Sequence, residues 1–207
     1  WYSVVLEACD DGAHVLDVGI GTGSALARHA ALVRRKNLRV AGLDYEAAYV
    51  AAARALVAAT PDLRDRLTVA CASIYDREAL DALRPPTPGG NRGLFDAAYF
   101  SGSLTLMPDP VAALRAAARV VKPGGRVHVT QTYQRRAVPL LATVKPLLKY
   151  VTTIDFGRLT TERRALDIFS ASGLDLVEHH VIPGSVDTAF QAAYHTVLLV
   201  PVTPQRS

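Results

Sequence analysis

The chain is poor in cysteine, in concentrated charge and in long apolar runs, and each shortage removes a class of protein. Its 207 residues include two cysteines, Cys9 and Cys71. They stand far apart, with no CxxC spacing and no histidine cluster beside them, so neither a disulfide framework nor a zinc site is indicated. A reducing, cytoplasmic setting is the default expectation. The formal charge of +4 is mild, and the arginines are scattered rather than gathered into a basic block, so nucleic acid is permitted but not indicated. The most lipid-like stretch, Ala137 to Ile154, is broken by Pro139, Lys145, Pro146 and Lys149. It offers no uninterrupted apolar span, and no transmembrane segment is expected. The chain begins at Trp1 rather than methionine, so the natural N-terminus, with any targeting signal, is expected to lie upstream. No internal repeat is visible.

What is present is enough apolar residue, half of the composition, to bury one sizeable core, and a single domain over 1–207 is expected. Strand and helix signals alternate, the pattern of a parallel sheet covered by helices. Strands are expected at Val15–Val18, Arg39–Asp44, Leu67–Ala72, Phe95–Ser101, Val127–Thr132, Leu174–Ile182 and His195–Val200. Helices are expected at Ser24–Arg35, Glu46–Thr60, Asp76–Leu83, Pro110–Val121 and Thr160–Ser172, the last stopped by Gly173. Arg84 to Gly93, rich in proline and glycine, reads as a surface loop.

The strand Val15-Leu16-Asp17-Val18 runs into Gly19-Ile20-Gly21-Thr22-Gly23. Three alternating glycines let the backbone turn sharply and approach a ligand without Cβ interference, and the helix after them aims free N–H groups at it. Asp44, at the end of the second strand and about 20 residues on, stands where ribose hydroxyls are held. Its competing role is a helix N-cap. A nicotinamide dinucleotide site shares this spacing, but it wants Gly or Ala at the sixth position from Gly19, where this chain has Ser24.

The ordered set resembles the class I S-adenosylmethionine-dependent methyltransferase family. Val15 to Gly23 is similar to its first motif, Gly42-Leu43-Asp44 to its second, Ala72-Ser73-Ile74 to its third and Phe95 to Phe100 to its fourth strand. Leu104 to Pro110 and Val120-Val121-Lys122-Pro123-Gly124-Gly125-Arg126 are similar to the segments that succeed the fourth strand in the family. The resemblance implies an α/β fold with a doubly wound, mostly parallel seven-stranded sheet, helices on both faces and an antiparallel last strand. It implies that Gly19, Gly21 and Gly23 pass the amino-acid end of S-adenosyl-L-methionine, with Asp17 ordering the loop or reaching the methionyl ammonium. Asp44 would accept from the ribose hydroxyls, and Tyr45 or Ile74 would pack on adenine. Ser73 stands where many members carry Asp. Ser101, Gly102 and Ser103 would lie beneath the transferable methyl, bordering cofactor and acceptor.

For the acceptor, Ser103, Met107, Gln131 and Tyr133 are the expected pocket residues, the last two near the carboxyl end of the fifth strand. Methyl transfer from a sulfonium needs positioning and exclusion of water more than a dedicated catalytic group. If a base is used, His128 and Tyr133 are the candidates. His179 and His180 lie on a late strand, with no cysteine or carboxylate cluster to suggest a metal. Residues 134–160, with Pro139 to Asp155 at their centre, are a candidate lid insertion. The features of DNA amino-methylating and protein arginine enzymes are absent, and no aromatic-basic interleaving favours RNA. The expected partner is a small-molecule acceptor of apolar or lipid-like character. The alternatives are a non-catalytic cofactor-binding module, an RNA methyltransferase and a nicotinamide-dependent oxidoreductase. The sequence leaves the oligomeric state open.

Overall fold

The computed structural model describes residues 1–88, 90–135 and 160–202. Alternating helices and strands wind a seven-stranded sheet: α1 Tyr2–Ala8, β1 His14–Val18, α2 Ser24–Ala27, α3 Ala30–Arg35, β2 Arg39–Asp44, α4 Ala47–Ala59, β3 Leu67–Cys71 and α5 Arg77–Leu83 form the first half. β4 Phe95–Ser101, α6 Pro110–Val120, β5 Val121–Gln134, α7 Glu162–Ser172, β6 Asp175–Val181 and β7 Gln191–Leu199 form the second. The strand order is β3-β2-β1-β4-β5-β7-β6. β1 to β5 are mutually parallel, and β7 inserts antiparallel between β5 and β6.

Period-two alternation gives the sheet two apolar faces. Leu16, Val18, Ala98, Phe100, Val127 and Val129 join one core layer, together with Leu114 of α6 and Phe169 of α7. Val15, Ala97 and Tyr99 join the other with Tyr2, Val5 and Leu6 of α1 and Val33 of α3. Helix ends carry their own chemistry. Asp76, Asp109 and Thr161 accept from backbone N–H groups at the starts of α5, α6 and α7, and Gly173 ends α7 in the left-handed conformation.

Three departures from expectation go beyond one or two residues at an element's end. The helix expected over Ser24–Arg35 is two, because His29 leaves helical backbone at φ −112° and its Nδ1 lies 2.9 Å from the Ala25 carbonyl. β5 absorbs Lys122 to Gly125 as an irregularity between the Phe95–Val121 and Ala97–Arg126 pairs. β7 starts at Gln191 rather than His195, since Ala192 and Ala193 pair with Tyr133 and Thr132 although neither carries a strand signal of its own. α1 has no counterpart among the expected helices. The candidate lid, apart from Gln134, Arg135 and Thr160, lies outside the described residues.

Candidate active site

The carboxyl ends of β1, β2 and β4 meet where the chain order reverses between β1 and β4, the position at which open α/β sheets bind ligands. The turn after β1 is built from left-handed glycines, with φ of 77° at Gly19, 59° at Gly21 and 70° at Gly23. A Cβ on Gly19 would lie 2.6 Å from the Ser103 Cβ, whereas one on Gly21 would meet nothing within 4 Å. Gly19 is therefore fixed by close packing, and Gly21 faces open space. The Gly19 and Ile20 N–H groups donate to the Leu43 carbonyl at 2.9 and 3.1 Å. Gly21 N–H donates to Asp44 Oδ2 at 2.9 Å, and Glu46 N–H to Asp44 Oδ1 at 3.0 Å. Asp44 thus latches the turn to the end of β2. It does not cap α4, whose N-cap is Glu46.

Asp17, on β1 beneath the turn, is buried. Its Oδ2 accepts from the Tyr2 hydroxyl at 2.9 Å, while Oδ1 has no partner. Burial pushes its pKa up to about 7; the Tyr2 hydrogen bond opposes this and nearby Asp44 adds to it.

The other expected residues fall into distinct surroundings. Tyr45 is 79% exposed beside Asp44, whereas Ile74 is buried in the core. Ser73 Oγ accepts from Tyr75 N–H. Gly102 is left-handed, with Trp1 3.5 Å from where its Cβ would be, and Ser101 ends β4 half-buried. The buried Ser103 hydroxyl donates to the Val18 carbonyl. Met107 is partly buried against the core and would lie 3.9 Å from a Cβ on Gly19. Gln131 Oε1 and the Tyr133 hydroxyl are buried without partners, and burial raises the Tyr133 pKa. His128 is buried on the α1 side of the sheet, its Nδ1 3.0 Å from His195 Nε2. Burial pulls His128 down to about 3, with His195 and Arg126 adding to the effect. Neither candidate base is thus poised to take a proton near neutrality.

Residues 15–125, more than half of the chain, match the family model described as a methyltransferase domain. The chain belongs to the methyltransferase-domain family. It is a class I S-adenosylmethionine-dependent methyltransferase. Its relatives include the ubiquinone biosynthesis O-methyltransferase of Paracidovorax citrulli, 28% identical over 199 residues that cover 88% of this chain and 76% of that one. The protein of the same name from Albidiferax ferrireducens is 37% identical over 118 residues, covering 56% of this chain and 40% of that one. Among solved structures, the cyclase SpnF superposes with a TM-score of 0.69 at 20% identity, covering 97% of this chain and 80% of that one. That likeness shows the fold alone.

The methyltransferase also brings together residues that local sequence could not pair. Tyr2 reaches Asp17 across 15 positions, and His128 meets His195 across 67. Glu178, His180 and His195 gather on one face of β6 and β7. His179 Nε2 lies 3.3 Å from Glu162 Oε1, and the Tyr194 hydroxyl donates to Glu162 Oε2 at 3.0 Å. Contact between elements distant in sequence, strand to strand or helix to strand, is the missing signal, because neither partner of such a pair is marked by its neighbours in sequence. Among the described residues, no helix is long and apolar enough to cross a membrane.

Proposed function

We propose that this methyltransferase holds S-adenosyl-L-methionine across the Gly19–Gly23 turn and Asp44, and methylates a hydroxyl oxygen on a small, apolar molecule. The carrying observation is the turn latched to Asp44, with Gly21 opening onto free space. The residues fit the cofactor in two respects. A Cβ at Gly21 would occupy the space a ligand needs, and Asp17 Oδ1 is a buried acceptor lacking a donor, which an ammonium group would supply. Asp44 spends one lone pair of each oxygen on the backbone and keeps the others for ribose hydroxyls. Exposed Tyr45 offers a ring to the adenine beside it.

When bound, the cofactor would supply an electrophilic methyl whose sulfur leaves as a neutral thioether without acid assistance, and the proton of the methylated hydroxyl would pass to bulk solvent. The chain's own contribution is to orient and to exclude water. Ser101 and Gly102 would form the floor at the end of β4 and half-buried Gln131 would line the carboxyl end of β5, with Tyr133 buried in the core behind it. Burial keeps the proton on the Tyr133 hydroxyl, which has no partner among the described residues and would serve as a donor and not as a base. The names of the relatives support an oxygen acceptor, and the apolar composition of Pro139 to Asp155 supports an apolar one.

Isothermal calorimetry followed by transfer of labelled methyl to a panel of phenols and catechols tests the reading. Binding of donor and demethylated product with turnover on phenolic hydroxyls is expected. No binding of either by the folded chain would overturn the cofactor assignment. Binding without turnover on any hydroxyl would overturn the acceptor assignment and favour a non-catalytic module.

A further inference from the structure

At the far edge of the sheet, away from the cofactor turn, three side chains with metal-binding chemistry share one face. β6 and β7 are antiparallel, with His180 directly opposite His195, and Glu178 lies two positions before His180 on β6. The period of two along a strand puts Glu178 and His180 on the same face, and direct opposition puts His195 there as well. The three side chains each bring one donor atom within 4.8 Å of the others. His180 Nδ1 and Glu178 Oε2 are already 3.9 Å apart, and the His180 and His195 rings meet edge to face at 5.3 Å.

A second observation concerns the lone pairs. His195 is buried, and its Nε2 lies 3.0 Å from His128 Nδ1. His195 Nδ1 is buried with no partner among the described residues, as is His128 Nε2; with the shared proton on His195 Nε2, His195 Nδ1 carries a free lone pair. A buried acceptor with nothing to accept is costly. A histidine whose other nitrogen donates to a fixed neighbour is also the usual form of a metal-ligating imidazole. Glu178 and His180 are about half exposed, so the cluster opens to solvent on one side.

We propose that Glu178, His180 and His195 bind a divalent transition-metal ion of the zinc class, with solvent completing the coordination and His128 orienting His195. Two imidazoles and one carboxylate with an open position form a set that Zn²⁺ and its first-row neighbours accept. The ion would pin the edge strand β6 to β7. His195 pairs with Thr130, which pairs with Ser101, so the site stands two strands from the end of β4, about 10 Å by strand spacing. The cofactor turn lies on the opposite side of β4.

The test is calorimetric titration of the chelator-stripped full chain with Zn²⁺, repeated with Co²⁺ to read the visible absorption of a low-coordinate site. One ion per chain is expected, together with a rise in thermal midpoint. His180→Ala and Glu178→Ala are each expected to weaken binding by more than the roughly 10–100-fold that loss of a ligand's hydrogen-bond partner costs. Both variants should bind S-adenosylmethionine as the parent does. Absence of binding at micromolar Zn²⁺ would overturn the proposal, as would unchanged affinity in both variants, which would place the ion elsewhere.

Discussion

Asp17 and Asp44 are neighbours at the ends of paired strands, yet burial and hydrogen bonding give them opposite tasks. Asp44 holds two backbone N–H groups and, in the proposed complex, two ribose hydroxyls. Hydrogen bonds to a charged group are worth about 1.5–3 kcal/mol each. Asp44→Ala is therefore expected to weaken S-adenosylmethionine binding on the order of a hundredfold or more, measured by calorimetry; an unchanged Kd would remove Asp44 from the site. Asp17 carries the pH dependence. Its folded pKa of about 7 lies above the ordinary 3.8. Between those values the unfolded chain has released a proton that the folded chain keeps, so stability falls as pH rises and levels off above about 7. The full effect is on the order of 4 kcal/mol. Asp17→Asn has no such proton, so its urea-unfolding free energy relative to the parent should improve between about pH 4 and pH 8. Parallel pH profiles for the two proteins would show that Asp17 titrates normally.

At the scale of elements, the proposed cofactor site gives Gly19 and Gly21 different roles, one in folding and one in binding. Any side chain at these left-handed positions costs about 1–2 kcal/mol. At Gly19 the added Cβ must also displace Ser103, 2.6 Å away, while at Gly21 it enters open space. Gly19→Ala is expected to lower the unfolding midpoint well beyond Gly21→Ala. Gly21→Ala should fold with a modest loss and lose cofactor affinity instead, so thermal denaturation and calorimetry on the pair would separate the two roles. If both variants lost stability equally, Gly21 would be a packing residue. The turn was readable because strand, glycines and helix start are consecutive, and Asp44 because it ends the next strand. The break at His29 was not, since it depends on a side-chain contact with Ala25. The early start of β7 at Gln191 was not either, because alanines become strand only through pairing with β5. Likewise Ser103, expected in the acceptor pocket, has its hydroxyl turned to the Val18 carbonyl, a partner 85 positions away.

At the scale of the whole molecule, the sheet has two apolar faces and α1 is part of what closes one of them. Tyr2, Val5 and Leu6 are buried against Val15, Val33 and Tyr99, and the Tyr2 and Tyr99 rings meet edge to face at 5.0 Å. Each such side chain contributes roughly 1.5–3 kcal/mol, so the three together amount to about 4.5–9 kcal/mol. A domain's net stability is only about 5–15 kcal/mol. Deleting residues 1–9 is thus expected to remove most of that margin and to leave Asp17 without its hydrogen-bond donor. By contrast, Glu7→Gln, which loses only the exposed ion pair to Arg35, should shift stability by less than about 1 kcal/mol. Urea denaturation monitored by circular dichroism would compare the three proteins. The shortened chain should show a lost or strongly lowered cooperative transition, and Glu7→Gln should unfold near the parent. A shortened chain that unfolded at the parent's midpoint would mean that β1, α3 and β4 close that face without α1, and that Tyr2 serves Asp17 rather than the core.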